Sequence, residues 1–383
     1  MFRRKAIVLC IAVVQMLSCR EPYDPSLEQR IVSYLVVEGF INTSGVTTIQ
    51  LSRTQKLAEK GVIKYELYAA VQIEGEDGTV RTLTGTGNGI YTSASNNLPS
   101  DRKYRLKIKT SAGKEYLSDY VSVKITPQFK LGWEKDDKGV NMTVSTSDPA
   151  KKTLYYKWMY EETWEINSVA LSEFTIVRRA PVVISKRPDA EQILIFRCWA
   201  DSRSTSILTT ATTAFSDDIV DRFPLAFIPN GSDKLAVRYS LLVKQYALTR
   251  EAYEFFELMK KNSQQLGSLF DPQPTTITGN IKSVTKPAEI VIGYIVASSA
   301  VEQRIFVTGA EAGDWKSSLF CPSFSVKANS EDLYTHFATP DLLIQNGVYE
   351  NPNNSEMLTG YNARPAACLD CRLRGSTIKP GFW

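Results

Sequence analysis

The chain has 383 residues, of which 43% are hydrophobic, and its formal net charge is +4. The first 18 residues contain Arg3, Arg4 and Lys5 but no acidic residue, so the rest of the chain is close to neutral. This balance, without a basic stripe, excludes nucleic-acid binding, and the length is ample for two folded domains.

Residues 1–18 are predicted to form a lipoprotein signal peptide. Their basic start is followed by an apolar run, residues 6–17, and then by Ser18 and Cys19. The run is shorter than the roughly 20 residues that a transmembrane helix needs. A small residue before Cys19 resembles the bacterial lipobox, in which that cysteine is diacylated. We therefore expect a covalent lipid on Cys19; an ordinary secretory signal is the alternative.

The mature chain is predicted to be mostly β. Residues 19–30 read as a lipidated tether, because Pro22 and Pro25 resist both helix and interior strand. Residues 31–127 alternate short β-branched or aromatic runs with turns, which predicts an immunoglobulin-like β-sandwich. The predicted strands lie at residues 34–37, 47–51, 69–73, 103–109 and 116–125, with hairpin turns at 76–78 and 111–113.

Residues 128–383 are predicted to form a larger β-rich domain, because Pro127 closes the first one. One amphipathic helix interrupts its strands at about residues 250–266, with Thr249 as N-cap. Phe255 and Phe256 lie on its apolar stripe and are expected to pack against the sheet. The predicted strands lie near residues 130–133, 139–145, 154–164, 174–178, 192–200, 235–243 and 290–297.

Four cysteines remain after the signal and the lipid site, and an exported protein favours pairing them as disulfides. The sequence leaves three connectivities open. A redox role for the terminal Cys-x-x-Cys and a Cys₄ zinc site are less favoured, since the first needs a helix N-terminus and the second a second such pair. The disulfide candidates are Cys198, Cys321, Cys368 and Cys371.

Catalytic signals are weak, so we expect no enzymatic activity, no metal and no cofactor besides the lipid. His336 is the single histidine, and no nucleophile elbow accompanies it. Glu161, Glu162 and Glu165 suggest glycoside hydrolysis, but neighbouring residues on a strand point to opposite faces. A solvated strand edge is the favoured interpretation. The glycine-rich stretch at residues 85–89 precedes a β-like run and is predicted to be a turn.

An aromatic row lies on one face of the strand near residues 154–164. Period two places Tyr156, Trp158, Tyr160 and Trp164 together, either in a sheet core or as a surface for a partner or ligand. A second candidate surface is the C-terminal pair Phe382 and Trp383.

Several segments resemble DUF4249, a family of Bacteroidota outer-membrane and surface lipoproteins. They are LVVEG at 35–39, CW at 198–199, STSI at 204–207, YSLLVKQYAL at 239–248, GSLFDPQP at 267–274, GNI at 279–281, CLDCR at 368–372 and KPGFW at 379–383. The resemblance implies a place at the cell surface, beside transporters of the outer membrane, and no established enzymatic role.

The expected function is that of a surface lipoprotein, anchored in the lipid bilayer of the outer membrane. It would act as a non-catalytic accessory or ligand-capturing subunit on an outer-membrane β-barrel, a TonB-dependent transporter. A structural or assembly subunit of another outer-membrane complex is the alternative, and a glycan or peptide hydrolase is less favoured.

Overall fold

The computed structural model describes residues 33–55, 63–264, 277–351 and 354–383. The predicted signal peptide, the tether with Cys19 and the segment at 267–274 lie outside these residues. Within them the chain is mostly β, which confirms the predicted fold class.

The strands and helices are numbered in chain order. The first strands are β1 (Leu35–Asn42), β2 (Val46–Arg53), β3 (Lys64–Tyr65), β4 (Ala70–Gly75), β5 (Val80–Gly87), β6 (Ile90–Ser95), β7 (Lys103–Lys109), β8 (Glu115–Ser118) and β9 (Val121–Lys124). The next are β10 (Phe129–Lys135), β11 (Gly139–Ser147), β12 (Tyr155–Asn167), β13 (Phe174–Arg179), β14 (Val182–Lys186), β15 (Arg197–Arg203), β16 (Leu208–Ala211), β17 (Ile219–Pro229) and β18 (Arg238–Ala247). The last are β19 (Ile281–Ser283), β20 (Val291–Ile292), β21 (Ala297–Ser298), β22 (Val301–Thr308), β23 (Phe324–Lys327), β24 (Leu342–Asn351) and β25 (Asn354–Pro365). The helices are α1 (Asp189–Phe196), α2 (Arg250–Gln264), α3 (Gly309–Ala312), α4 (Ser330–Phe337) and α5 (Ala366–Leu369), with 3₁₀ turns at Asp233–Leu235 and Cys371–Leu373.

The N-terminal strands form a closed sheet. Eight strands pair in the order β7-β4-β5-β6-β2-β1-β21-β9, and β9 pairs again with β7 through Lys103 and Ser122. Its interior is filled by one cluster of buried side chains. The structure therefore does not confirm the immunoglobulin-like sandwich, because a sheet that closes on itself replaces two facing sheets.

The closed sheet takes strands from a distant part of the chain. Residues 281–298, which sequence analysis placed in the second domain, supply β19, β20 and β21. Leu35 of β1 pairs in parallel with Val291, and Ile41 pairs with Ala297. The N-terminal unit is thus built from two separate stretches of sequence.

Period-two patterning sets which side chains fill the closed sheet. On β7, Tyr104, Leu106 and Ile108 are buried, whereas Arg105 and Lys107 point outward. The bounds of β7 are those predicted. The turns predicted at 76–78 and 111–113 connect β4 to β5 and β7 to β8. The turn predicted at 85–89 is only partly right, because residues 85–87 belong to β5 and Asn88 and Gly89 alone connect it to β6.

The closed sheet has two ends with different neighbours. At one end the chain enters β1 shortly after Ser33, and β2 ends there and pairs with β3. Strand β4 begins at the same end, which we call the entry end. At the other end Lys124 pairs with Ser298 and the chain leaves β9 for β10; we call this the junction end. The second region therefore connects to the closed sheet at the end opposite to the entry of the chain.

The second region contains two sheets that pack face to face. One has the order β10-β11-β17, and the other β15-β12-β18-β22 with β16 also paired to β12. Val140, Met142 and Val144 of β11 share a core with Tyr156 and Trp158 of β12. This core lies between the sheets and covers one face of β12.

Helix α2 packs where the closed sheet meets the second region. The Thr249 hydroxyl accepts a hydrogen bond from the backbone N–H of Ala252 at 3.3 Å, which confirms the predicted N-cap. Phe255 and Phe256 are buried with Phe40 of β1, as expected for packing against a sheet. The helix is described to Gln264, so its predicted end at residue 266 lies outside the described residues.

A smaller unit lies towards the C-terminus. The sheet β23-β25-β24 packs with the hairpin β13–β14 and with α4, around the buried Phe337. The strand predicted at residues 192–200 is partly wrong, because residues 189–196 form α1 and β15 begins at Arg197. The run of Ile193, Leu194, Ile195 and Phe196 is apolar enough for a strand, but Ile195 alone of these four is buried.

Candidate contact surfaces

The aromatic row of β12 lies in the core. Tyr156 and Trp158 have no exposed surface, and Tyr160 and Trp164 pack partly buried against the same core. Period two therefore placed these side chains on one face correctly. The proposed contact surface is wrong for Tyr156 and Trp158, because the sheet β10-β11-β17 covers that face.

The polar atoms of the row are satisfied internally. The indole N–H of Trp158 donates to Oε1 of Gln245 at 2.8 Å, and the Tyr156 hydroxyl donates to Asp218 at 2.7 Å. Burial is the main reason why the pKa of Tyr156 is raised. These contacts leave the two rings no polar group to offer a ligand.

The glutamates of β12 are structural. Glu162 is buried, and its carboxylate accepts hydrogen bonds from the Tyr239 hydroxyl at 2.8 Å and from Nζ of Lys234 at 2.6 Å. Glu161 lies on the opposite face, where Nζ of Lys244 is 3.9 Å away. The interpretation as a solvated strand edge is wrong, because β12 pairs with neighbours on both sides.

The four cysteines of the described residues form two disulfides. Cys198 pairs with Cys371, and Cys321 pairs with Cys368. This resolves the three connectivities that the sequence left open. Each cysteine of the terminal Cys-x-x-Cys is bonded to a different part of the chain, so neither carries a free thiol.

Residues 371–383, which we call the C-terminal segment, are fastened to the five-stranded sheet at several points. Ser376 exchanges two backbone hydrogen bonds with Trp199 of β15, both at 2.8 Å. The Arg374 guanidinium donates to Asp233 at 2.9 Å and to the backbone oxygen of Asn167 at 3.2 Å. With the Cys198 disulfide, these contacts fix the path of the segment.

The terminal aromatic pair completes this attachment. The Trp383 indole donates to Glu165 at 3.1 Å, and its ring meets Phe306 edge to face at 5.7 Å. The Phe382 ring lies 3.5 Å from the guanidinium carbon of Arg304, a cation–π contact. The outer face of the sheet therefore holds both rings.

Apolar side chains on the C-terminal segment remain exposed although its backbone is fixed. The exposed fractions are 62% for Leu373, 78% for Ile378 and 44% for Phe382. Side chains on a fixed backbone lose little conformational entropy when they meet a partner. The segment is therefore a candidate contact surface. Phe382 and Trp383 are its members predicted from the sequence, and of these two Phe382 is the exposed one.

His336 lies on α4, where its Nδ1 is 2.9 Å from the backbone oxygen of Asp332 in the preceding turn.

In the described parts of the chain, no three of the histidine, cysteine, aspartate and glutamate side chains gather closely enough to hold a metal ion. No helix within those parts has the length and apolar character required to cross a bilayer.

Comparison with protein families shows to which family the chain belongs. Residues 20–304 match the family described as "Domain of unknown function (DUF4249)", which is most of the sequence. The chain belongs to the DUF4249 family. No curated protein matches the sequence.

Solved structures add little to the description of this DUF4249 chain. One similar structure is chitinase ChiA74 from Bacillus thuringiensis, with 11% identity and a TM-score of 0.16. The match covers 53% of this chain and 30% of that chitinase, so the chain spans less than a third of its length. A likeness this low carries no argument about fold or function.

Sequence analysis missed Lys157, which lies on the outer face of β12. Its Nζ is 3.6 Å from the ring centroid of Phe256 and 4.9 Å from that of Phe40. Burial lowers the pKa of Lys157 to about 7, while Glu38 acts in the opposite direction. Period two places a cationic residue opposite the aromatic row, but the sequence does not show that a helix covers it.

Proposed function

We propose that the protein is a non-catalytic lipoprotein of the outer membrane, held at the cell surface by lipid on Cys19. It docks on an outer-membrane β-barrel, a TonB-dependent transporter, as an accessory or ligand-capturing subunit. Membership of the DUF4249 family supports this placement, since the family resemblance implies surface lipoproteins that accompany such transporters.

The single observation that carries the proposal is the C-terminal segment. It presents Leu373, Ile378 and Phe382 to solvent on a backbone fastened by a disulfide and by paired hydrogen bonds. Exposed apolar side chains held in fixed positions are typical of contact surfaces with a few dominant residues. Phe382 is the aromatic member and therefore the expected centre of the contact.

The groups that could support catalysis serve the fold instead. Glu162 is held by Tyr239 and Lys234, and Glu165 accepts from the indole of Trp383. The four cysteines of the described residues are bonded in disulfides, and Nδ1 of His336 lies beside a backbone carbonyl of its own helix. These engagements favour a binding role over a hydrolytic one.

Lipid attachment would make modest contacts sufficient. A protein confined to the membrane surface meets a membrane partner at an effective concentration of roughly the mM range. A few apolar side chains then hold a complex that free diffusion would not maintain. This argues for a partner within the same membrane.

The test is isolation of the native, lipid-anchored protein in mild detergent, with antibody capture and identification of what accompanies it. We expect a barrel with a plug domain to co-purify. Phe382→Ala should lower the recovered barrel by about tenfold or more, as for a central contact residue. Phe215→Ala, which removes an equally large ring that is 67% exposed elsewhere, is the matched control and should not.

Three outcomes would count differently. Recovery as a monomer in several detergents would contradict the proposal. Co-purification of an assembly or secretion barrel without a plug domain would favour the structural subunit instead. Equal losses for Phe382→Ala and Phe215→Ala would show that the C-terminal segment is not the contact surface.

A further inference from the structure

The entry end of the closed sheet carries exposed apolar side chains from two separate segments. Tyr68 is 88% exposed, and Ile63 and Leu67 are 54% and 42% exposed. Val284, from the stretch that follows β19, is 51% exposed. Apolar side chains that gather at one end of a domain mark a surface that meets something less polar than water.

Backbone pairing places these residues beside the point where the chain enters the sheet. Val284 donates its backbone N–H to Glu115 at 2.8 Å, at the beginning of β8. Lys64 and Tyr65 of β3 pair with Arg53 and Ser52 at the end of β2. The last residues of β2 lie opposite the start of β1, which begins two residues after Ser33.

The loop from Ile63 to Tyr68 is held in place by its surroundings. The Tyr91 hydroxyl donates to the backbone oxygen of Glu66 at 2.8 Å and accepts from the N–H of Ala69 at 2.9 Å. The guanidinium of Arg53 bonds to the Glu66 carboxylate at 2.6 Å. Tyr68 has a φ of +59°, a conformation that is uncommon for a bulky side chain. The backbone of the loop is therefore fixed, and it holds the Tyr68 side chain out in solvent.

The length of chain before Ser33 argues for what this surface meets. Fourteen residue steps separate Cys19 from Ser33 in the sequence. Such a length spans about 50 Å at most, and about 20 Å as a random coil. A lipid on Cys19 would keep the entry end near the bilayer, with the junction end and the second region on the far side.

The chemistry of the entry end fits the boundary between headgroups and acyl chains. Tyr68 joins an apolar ring to a polar hydroxyl, which is the pattern favoured at membrane interfaces. Two of the lysines nearby are paired with carboxylates: Lys109 lies 2.9 Å from Glu115, and Lys114 lies 3.1 Å from Glu289. We therefore expect the apolar side chains to carry most of the interaction, so that high salt leaves it in place.

We propose that Ile63, Leu67, Tyr68 and Val284 insert into the interfacial layer of the bilayer beside the lipid anchor. This second membrane contact rests on the proposed function, because it takes the lipid on Cys19 as the first. One acylated residue allows the body of a protein to pivot freely. Insertion of the entry end fixes which face of the second region points away from the membrane.

The test uses the full lipidated chain in vesicles of phosphatidylethanolamine and phosphatidylglycerol. Tyr68→Cys provides one free thiol for an environment-sensitive fluorophore, since the four mature cysteines are disulfide-bonded and Cys19 carries lipid. We expect a blue shift of the emission and at least twofold quenching by brominated lipids, unchanged at high salt. Ser44→Cys, in the exposed turn at the junction end, is the control and should stay water-like.

A second arm separates failure of this inference from failure of the proposed function. If Cys19 carries no lipid, the same labels are read on a chain that starts at residue 19, carries Cys19→Ser so that residue 68 or 44 keeps the one free thiol, and is tethered by an N-terminal hexahistidine to nickel-chelating lipids. A water-like label at residue 68 on bound protein, in either form, overturns the inference and leaves the anchor intact. A shift that requires a barrel protein in the vesicle also overturns it, because the surface then meets protein.

Discussion

The closed N-terminal sheet and the five-stranded sheet of the second region treat their strand edges differently. Closure of β9 onto β7 leaves the eight paired strands without a free edge. The five-stranded sheet stays open, and Ser376 of the C-terminal segment bonds to Trp199 on its edge strand β15. An unpaired edge invites association with other strands. One region removes its edges by closure, and the other covers part of one edge, at β15, with the end of the chain.

The cores of the two regions also differ in the side chains that they bury. The closed sheet buries mainly aliphatic side chains. The second region buries Tyr156, Trp158 and Tyr239, together with the polar groups of Gln245 and Glu162 that bond to them. A buried polar network specifies one arrangement of its side chains, and loss of one side chain lowers stability strongly because it leaves its partner unsatisfied. The second region should therefore be the more sensitive of the two to single changes.

Trp158→Ala should give the largest effect. Removal of this buried ring should lower the free energy of unfolding by about 3–5 kcal/mol, since it opens a cavity. It also takes from Gln245 its indole partner. Chemical denaturation measures the loss, and hydrogen exchange locates it. Leu106→Ala in the closed sheet is the control, and we expect it to lower the free energy of unfolding by less. If Trp158→Ala reduced hydrogen-exchange protection equally in both regions, the second region would not be the more sensitive one.

Loss of the Cys198–Cys371 disulfide comes next. The alanine pair Cys198→Ala and Cys371→Ala should cost about 2–5 kcal/mol, because the bond closes a loop of 173 residues. Removing the Cys321–Cys368 bond, which spans 47 residues, should cost about 1 kcal/mol less. Hydrogen exchange should show lost protection in β15 and the C-terminal segment. Strands β1–β8 contain no cysteine, and lost protection there would contradict this view.

Lys157 gives the smallest effect and probes the contact between the two regions. The pKa of its ammonium group is about 7 when folded and about 10.4 when unfolded, so the unfolded chain binds more protons between these values. Stability should therefore rise as the pH increases from about 7 to about 10. Lys157→Met should remove this rise, which we expect to be about 1–3 kcal/mol after cation–π attraction to Phe256 offsets part of it.

The measurement is the free energy of unfolding in urea at pH 7 and pH 9.5. Lys130→Met, at an exposed position on β10, is the matched control and should keep the rise. Glu38 and Tyr246 lie close to Lys157 or pair with it, and both remain in each variant. An identical pH dependence in Lys157→Met and the parent chain would show that burial does not lower the pKa of this lysine.

Local signals in the sequence predicted much of the fold. The alternation in Lys103–Lys109 gave both the strand and its buried face, and Thr249 marked the start of α2. Gly78 and Gly113 stand at turns where φ is positive, as hairpin positions require. These features depend on neighbours within a few residues, so composition and spacing reveal them.

Features set by distant partners were not predictable in this way. Period two placed Trp158 and Tyr156 on one face, but their burial depends on whether another sheet lies above them. The apolar run around Ile195 suits a strand as well as a helix. The exposure of Tyr68 and the disulfide partner of Cys371 follow from chain topology, which one sequence pattern does not encode.

The contribution of β21 to the closed sheet has a consequence for how the chain folds as it is made. A polypeptide that is synthesised from its N-terminus presents β1 and β9 long before Ala297 and Ser298 arrive to join them. Until then both strands expose backbone donors and acceptors to any passing segment. Completion of the N-terminal fold must wait for more than three quarters of the chain. Newly made copies therefore leave the partner edges of β1 and β9 unpaired for as long as that interval lasts.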